Sequence, residues 1–150
     1  MHSVAINSPR KQFLVDFFRD VWNAGDVEAC RRYLAPSYTI WHDPGDPWEG
    51  QTLDGAGFQE RLRISRAPFP DQCFEIVGLW EDQDALAVSW TWRATHLGDL
   101  PGFAATGRRI TMSGMTSYRF ENERLSGHWQ VVDRLGVFQQ LQAHRAAGAG

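Results

Sequence analysis

The repeat of apolar residues changes from a helical period to a strand period near Gln72, and this change constrains the fold of the 150-residue chain most. Before it, Phe13, Phe17 and Val21 recur at the i, i+4, i+8 spacing of a helix that buries one face. After it, apolar and polar residues alternate, as in ALAVSWTWRATH (85–96), which is typical of strands. Helices followed by consecutive strands favour an α+β fold over an alternating α/β fold.

Capping and turn residues divide the chain into elements. Ser8, Asp26 and Asp54 each precede an apolar repeat, and these residue types favour helix starts, so three N-terminal helices are predicted. We expect one domain over 1–150, with residues 1–7 and 143–150 flexible. Strands and a last helix are predicted at 38–42, 73–80, 85–96, 108–120, 125–133 and 134–142.

A long, curved antiparallel sheet needs cover on its concave face. Three N-terminal helices cover part of that face, so the remainder is predicted to enclose an apolar pocket. Seven Trp and nine Phe residues are more than a core of this size needs. Aromatic walls suit a flat, hydrophobic organic ligand, although a dense core is the alternative explanation.

Charge and hydropathy argue against two classes of partner. The net charge of −3 comes with no basic block, so the electrostatic signature of nucleic-acid binding is missing. No apolar run approaches the roughly 18 residues of a membrane span. Cys30 and Cys73 lie in apolar sequence and are expected to be reduced thiols, which favours a cytoplasmic protein; a disulfide or a reactive thiol is the alternative.

The chain is expected to use no metal and no organic cofactor. Its His and acidic residues lack the i, i+4 and CxxC-type spacings of metal ligands, although strand-end His residues could still converge in space. Neither a phosphate-binding Gly loop nor a GxSxG nucleophile motif occurs.

Four groups of residues occur in the order and spacing of a known family. They are 69–71 (FPD), 94–98 (ATHLG), 105–110 (ATGRRI) and 127–136 (GHWQVVDRLG) followed by 140–141 (QL). Together they resemble the ester-cyclase branch of the SnoaL-like polyketide cyclases, from the first helix to Leu141. The resemblance implies a cone-shaped α+β fold of the nuclear-transport-factor-2-like type, shared with ketosteroid isomerases and scytalone dehydratase.

The resemblance also implies a reaction. Characterised relatives close a ring of an aromatic polyketide ester by an intramolecular aldol condensation, with one carboxylate as general acid/base and without a metal. The family commonly has an acidic residue directly after the Trp of its last strand. Gln130 stands there in this chain, which removes one candidate carboxylate.

Three residues are predicted to carry the chemistry. Asp133 shares a strand face with Trp129 and Val131, and apolar surroundings raise the pKa of a carboxyl group towards the range that acid–base catalysis needs; the alternative is that Asp133 caps the last helix. His96 ends an aromatic row and is predicted to polarise a substrate oxygen, unless it is a rim residue held by backbone. His42 is predicted at the mouth of the pocket.

The substrate is predicted to be a bulky aromatic or alicyclic ketone or ester. If Trp129 faces inwards, His128 faces outwards or into a dimer contact. We expect a homodimer formed through the outer face of the sheet. Predicted substrate contacts are Trp41, Trp90, Trp92, Trp129, Phe103 and Met115.

Other functions remain open at this point. Isomerisation, dehydration, epoxide opening and cofactor-independent hydroxylation are alternatives within the same fold. Epoxide opening would need a second carboxylate in the pocket, or an Arg paired with Asp133. A non-catalytic small-molecule binding module is the alternative of a different class, and a cavity without ionisable groups would favour it.

Overall fold

The computed structural model describes residues 4–149 as four α-helices and a six-stranded sheet, which confirms the predicted α+β fold. A π-helical segment, Phe18–Asn23, extends the first helix, and a 3-10 turn, Val27–Ala29, leads into the second. The helices are α1 (Pro9–Phe17), α2 (Cys30–Tyr33), α3 (Gly55–Arg66) and α4 (Arg134–Ala149). The strands are β1 (Leu34–His42), β2 (Thr52–Leu53), β3 (Cys73–Glu81), β4 (Ala85–Thr95), β5 (Arg109–Glu121) and β6 (Arg124–Val132).

The N-terminal helical segments begin at the predicted capping residues. The Ser8 hydroxyl accepts a hydrogen bond from the Lys11 amide at 3.2 Å, and Asp54 accepts from the Gly57 amide at 2.7 Å. Asp26 accepts from two amides of the 3-10 turn. These bonds satisfy donors that a first helical turn leaves free.

Both chain ends were expected to be flexible, and the structure describes only part of each end. Residues 1–3 and 150 lie outside the described residues. Residues 143–149 form the last turns of α4, which continues past the predicted end at 142.

The strands form one mixed sheet in the order β2-β1-β6-β5-β4-β3. The strands β3 to β6 pair antiparallel in chain order, as the meander predicts. β1 pairs with β6 in parallel, with Ile40 opposite His128. The sheet is therefore not wholly antiparallel, because β1 lies beside the last strand of the meander and runs in the same direction.

A register shift in β6 decides which of its side chains face the helices. The pairing with β5 shifts between Leu125 and Gly127. After this shift His128 is buried, Gln130 faces the interior, and Trp129 is half exposed on the outer face. The predicted orientation of β6 is thus reversed, since a slip of one residue moves each later side chain to the opposite face.

A second shift has the same effect at the end of β1. Tyr38 and Ile40 are buried, as an alternating strand requires. The pairing with β6 is irregular between Ile40 and His42, and His42 turns outwards to stack on Trp129 with ring centroids 4.2 Å apart. Asp43 then enters the interior and is completely buried.

The helices cover the concave face of the sheet and leave a cavity of about 670 Å³. α1 contributes buried Leu14 and Phe17, α3 contributes Phe58 and Leu62, and α4 contributes Leu141. This arrangement confirms the predicted cone with an apolar pocket. Within residues 4–149, no helix has both the length and the apolar content to cross a membrane.

Candidate active site

The cavity has aromatic walls and one polar end. Its volume lies in the range of roughly 300–1,000 Å³ that small-molecule sites occupy. Exposed residues at its rim include Pro47 in the loop after β1, Ile64 on α3 and Pro101 in the loop between β4 and β5. The apolar wall includes Trp22, Trp48, Phe69, Phe74, Trp90, Trp92, Leu100, Met112 and Val132. The polar end is formed by Tyr38, Asp46, Arg61, His128, Gln130 and Arg134.

Three buried side chains at the polar end form a continuous hydrogen-bonded chain. His128 Nε2 lies 2.9 Å from Asp43 Oδ2, and His128 Nδ1 lies 2.6 Å from the Tyr38 hydroxyl. Each of the three residues is at most 3% exposed. Tyr38 and His128 reach the cavity wall, with Asp43 behind them. We call Tyr38, His128 and Asp43 the relay triad.

The protonation states of the relay triad follow from its partners. Asp43 also accepts from Gln130 Nε2 at 2.8 Å and from Arg134 Nη2 at 3.0 Å, so it acts as an ionised acceptor. His128 Nε2 must then carry a proton to donate to Asp43. In a neutral imidazole the other nitrogen is an acceptor, so the Tyr38 hydroxyl donates to His128 Nδ1.

Burial and hydrogen bonding shift the pKa values in this cluster. Burial lowers the pKa of His128, which outweighs the upward effect of its hydrogen bond to Asp43. Burial would raise the pKa of Asp43, but hydrogen bonds from His128 and Gln130, together with nearby positive charge, hold it below the ordinary value. Burial raises the pKa of Tyr38 well above its usual range. At neutral pH the triad therefore holds a carboxylate, a neutral imidazole and a phenol.

A second hydrogen-bonded chain fixes the orientation of Gln130. The Thr116 hydroxyl donates to Gln130 Oε1 at 2.7 Å and accepts from Trp90 Nε1 at 2.9 Å. With its oxygen held by Thr116, the amide nitrogen of Gln130 points at Asp43. Gln130, at the position where the resemblance implies an acid, is thus a hydrogen-bond donor to the carboxylate of Asp43, which directly follows the neighbouring strand β1.

Two Arg residues balance the charge at the polar end. Arg61 Nη2 lies 3.1 Å from Asp46 Oδ2 and 3.5 Å from Asp43 Oδ2. Arg134 bonds Asp43 and also donates from Nε to the Pro44 carbonyl at 2.8 Å. Two carboxylates and two guanidinium groups therefore leave this end of the cavity close to neutral.

Gly45 allows Arg134 to reach the cluster. A Cβ at Gly45 would lie 2.4 Å from Arg134 Cδ, and the backbone φ of 91° disfavours other residues. The first residue of α4 is thereby tied to the loop after β1, and both segments are positioned by Asp43.

Among the residues that the structure describes, no group of three or more His, Cys, Asp or Glu side chains is placed to hold a metal ion.

Comparison with known proteins identifies the family of this chain. A model of the SnoaL-like polyketide cyclases matches residues 12–141. The chain belongs to this family. The crystal structure of a proposed polyketide cyclase from Acidithiobacillus ferrooxidans is 55% identical, has a TM-score of 0.91, and matches over 93% of this chain and 99% of that chain.

More distant structures share the fold of this SnoaL-like chain. IdmH, a proposed polyketide cyclase from Streptomyces antibioticus, is 24% identical with a TM-score of 0.75, over 90% of this chain and 99% of that one. AclR, a proposed hydroxylase from Streptomyces galilaeus, is 21% identical with a TM-score of 0.75, over 89% and 96%. No curated protein sequence matches the chain.

The position of Asp133 in this SnoaL-like fold corrects the expectation that it faces the pocket. Asp133 is exposed and does not line the cavity, because β6 presents His128 and Gln130 to the interior instead. Its Oδ1 accepts from the Gly136 amide at 2.9 Å, which caps α4. These contacts agree with the alternative role considered for Asp133, which is to cap the last helix.

His96 and His42 do not join the relay triad. His96 is completely buried but is not part of the cavity lining, and neither ring nitrogen has a hydrogen-bond partner within residues 4–149. Its nearest aromatic contact is Phe69, at 5.8 Å between ring centroids. His42 lies on the outer face against Trp129. None of the three predicted catalytic residues lines the cavity.

The six predicted substrate contacts fall into three groups. Trp90 and Trp92 line the cavity and stay predicted substrate contacts. Phe103 packs against Phe138 outside the cavity lining, with ring centroids 5.7 Å apart. The other three are about half exposed on the outer face, so they face away from the cavity: Trp41, Trp129 and Met115.

Proposed function

We propose that this SnoaL-like protein is an enzyme that moves a proton next to a carbonyl group of an aromatic or alicyclic ketone or ester, as in an intramolecular aldol ring closure. One observation carries the proposal: the relay triad runs from a buried carboxylate to a phenol at the wall of an apolar cavity. A binding module without catalysis would have no use for a buried, charged chain of this kind, which is costly to fold.

The first step is removal of a proton. The Tyr38 oxygen takes the proton from the carbon next to the carbonyl as its own hydroxyl proton passes to His128 Nδ1. The electron pair of the C–H bond forms the enolate. His128 becomes an imidazolium, which the carboxylate of Asp43 stabilises through Nε2. The role of Asp43 is thus the one that an Asp has beside a His general base.

The second step returns the proton. In a ring closure, the enolate carbon attacks a second carbonyl carbon of the same substrate, and the electron pair of that C=O bond moves to its oxygen. The new alkoxide takes the Tyr38 proton, and His128 Nδ1 returns its proton to Tyr38. The triad ends in its starting state. Every proton moves between this chain and the substrate, so the proposed steps need no cofactor.

The test is incorporation of solvent deuterium into a hydrophobic ketone such as β-tetralone, followed by NMR. We expect the protein to accelerate exchange next to the carbonyl.

His128 must be neutral to accept a proton, and its pKa is lowered, so the rate should stay constant near pH 7 and fall only below about pH 6.5. Exchange at the uncatalysed rate with a panel of bicyclic ketones and β-keto esters would contradict the proposal. The charged or titratable groups around His128 are Asp43, Asp46, Arg61, Tyr38 and Tyr118.

Epoxide opening is the second candidate, and one observation favours it. Asp46 is a carboxylate in the cavity lining, Asp43 lies behind that lining, and Arg61 pairs with both. An Arg paired with a carboxylate is the arrangement that epoxide chemistry was expected to need, with Asp43 and Asp46 here in place of Asp133. Hydrolysis of a cyclic epoxide to a diol, with no ketone exchange, would favour this candidate over proton transfer.

We also propose a homodimer formed through the outer face of the sheet. Met115 and Val131 are direct cross-strand neighbours there, and both are about half exposed. With Val77, Trp41 and Trp129 they give the outer face five apolar side chains that are about half exposed, and clustered exposed apolar residues mark interaction surfaces. The cytoplasmic location proposed for the protein rests on its two unpaired cysteines, Cys30 and Cys73.

The substitution Val131→Glu tests this interface. We expect wild type to run as a dimer in light scattering coupled to size exclusion, and the variant to run as a monomer, because a buried unpaired charge disfavours association. Leu135→Glu is the matched control, since Leu135 is exposed on α4 and should leave the dimer intact. A monomeric wild type would contradict the dimer proposal.

A further inference from the structure

Arg61 is a buried cation in the wall of the cavity. It lies on the inner face of α3, where it is 4% exposed, among apolar residues such as Phe58 and Leu62. Three aromatic rings surround its guanidinium carbon, at 5.4 Å for Trp22 and 5.9 Å for Trp48 and for Phe58. These contacts hold the planar group in one place, since rings attract a cation over their faces.

The donors of Arg61 are only partly used. Its polar contacts within residues 4–149 run through Nη2, to Asp46 and Asp43. Nε is buried and has no acceptor among these residues. A guanidinium carries five N–H donors, and a buried donor without an acceptor is costly. Charge balance with the two carboxylates accounts for the contacts of Nη2, but it does not account for the buried Nε donor.

Tyr38 and Arg61 belong to the same end of the cavity. Both side chains contact the ring of Phe58, at 5.0 Å between ring centroids for Tyr38 and 5.9 Å for the guanidinium of Arg61. Both also line the cavity. A carbonyl oxygen bound at Arg61 would place its neighbouring carbon at the same end of the cavity as the Tyr38 hydroxyl.

We infer that Arg61 is a further catalytic residue, which binds the oxygen of the substrate carbonyl and stabilises the planar enolate that forms from it. The role as enolate ligand rests on the proposed function. The ligand class is a planar, delocalised oxyanion attached to an apolar ring system. A fixed donor aimed at charge that develops during a reaction needs no reorganisation at that moment, which is the source of its effect.

Binding of para-nitrophenol tests this inference without turnover, since its phenolate is a planar oxyanion on a ring. We expect the folded wild type to bind phenolate about tenfold more tightly than phenol, so that the titration of the bound probe, followed by absorbance, moves to lower pH by about one pH unit. Arg61→Gln should abolish this shift. Arg31→Gln is the matched control, because Arg31 is exposed outside this cavity and should leave the shift unchanged.

Arg61→Gln leaves two carboxylates without their cation, so its fold is checked by circular dichroism. If it does not fold, Arg61→Gln combined with Asp46→Asn removes the ion pair as a unit, and this variant is expected to lose the shift. A folded variant with the wild-type shift, or a wild type that prefers phenol, overturns the inference. The two proposals can fail separately. If the titration shift depends on Arg61 but the protein does not catalyse ketone exchange, the oxyanion site is supported and the proposed reaction is rejected.

Discussion

Tyr38→Phe is expected to lower the rate of ketone exchange by about 10²–10⁴-fold, the usual contribution of a general acid or base. The substitution removes only the hydroxyl that connects the cavity to His128. The ring stays, and so do its contacts with Phe58 and His128. Substrate affinity should therefore change little, and the loss should appear in kcat. Steady-state exchange rates over a range of ketone concentrations separate the two effects.

The matched control for Tyr38 is Tyr33→Phe. Tyr33 is also buried and packs in the aromatic core, and its hydroxyl donates to Asp20 at 2.5 Å outside the cavity. This variant loses one hydrogen bond and should keep wild-type exchange. Tyr38→Phe should be destabilised by about 1–3 kcal/mol, the cost of leaving the buried His128 Nδ1 without a partner. Tyr33→Phe should lose less, because Asp20 is partly exposed and keeps its ion pairs with Arg19 and Arg32. Equal exchange rates in Tyr38→Phe and Tyr33→Phe would remove Tyr38 from the reaction.

Asp43→Asn is expected to have the larger effect, because it affects both the chemistry and the fold. A neutral amide no longer stabilises the imidazolium of His128, and it can donate to Nε2 and so favour the wrong tautomer. We expect a loss of about 10³–10⁴-fold in exchange. The change also leaves Arg61 and Arg134 without their shared carboxylate, so the free energy of unfolding should fall by about 3 kcal/mol or more.

Urea unfolding, monitored by Trp fluorescence, measures the stability of Asp43→Asn. The exchange rate is then compared at a urea-free condition where the variant is folded, so that the two losses are separated. A folded Asp43→Asn protein with wild-type exchange would show that Asp43 only holds the loop after β1 and Arg134 in place.

The sequence predicted the fold because its strongest signals are local. The caps Ser8, Asp26 and Asp54 start helical segments where expected, and the alternation in β4 places Trp90 and Trp92 inside. Each of these features depends on neighbouring residues along the chain, which a period or a capping rule describes.

The relay triad could not be predicted in the same way, because two local irregularities in the strands decide which side chains form it. The shift after Leu125 turns His128 inwards, and the shift after Ile40 brings Asp43 inside. A strict period-two reading assigns the opposite faces, which selected Asp133 and His42. Gly127 is a hint of the shift in β6, since an isolated Gly in a strand often marks a bulge or a close backbone approach, and a Cβ there would lie 2.3 Å from the Thr39 carbonyl oxygen. It does not say how the later side chains are oriented, and β1 has no comparable residue at its shift.

One signal in the sequence did point towards the site. Gln130 stands where the resemblance implies an acid, so the carboxylate of the proposed reaction must come from elsewhere. Asp43 precedes a loop rich in Pro and Gly and is far from Gln130 along the chain. Only the parallel pairing of β1 with β6 brings the two within 2.8 Å. Such a contact between distant segments depends on the topology of the sheet.

Ketone exchange by Asp43→Asn and Asp133→Asn, compared in one assay, tests the central claim most directly. The two carboxylates lie on opposite sides of the sheet, Asp43 in the relay triad and Asp133 at the start of α4. We predict that Asp43→Asn loses about 10³–10⁴-fold in exchange and that Asp133→Asn keeps the wild-type rate, with only a cap lost. The reverse result, a normal rate for Asp43→Asn and a large loss for Asp133→Asn, would contradict the relay triad as the catalytic site.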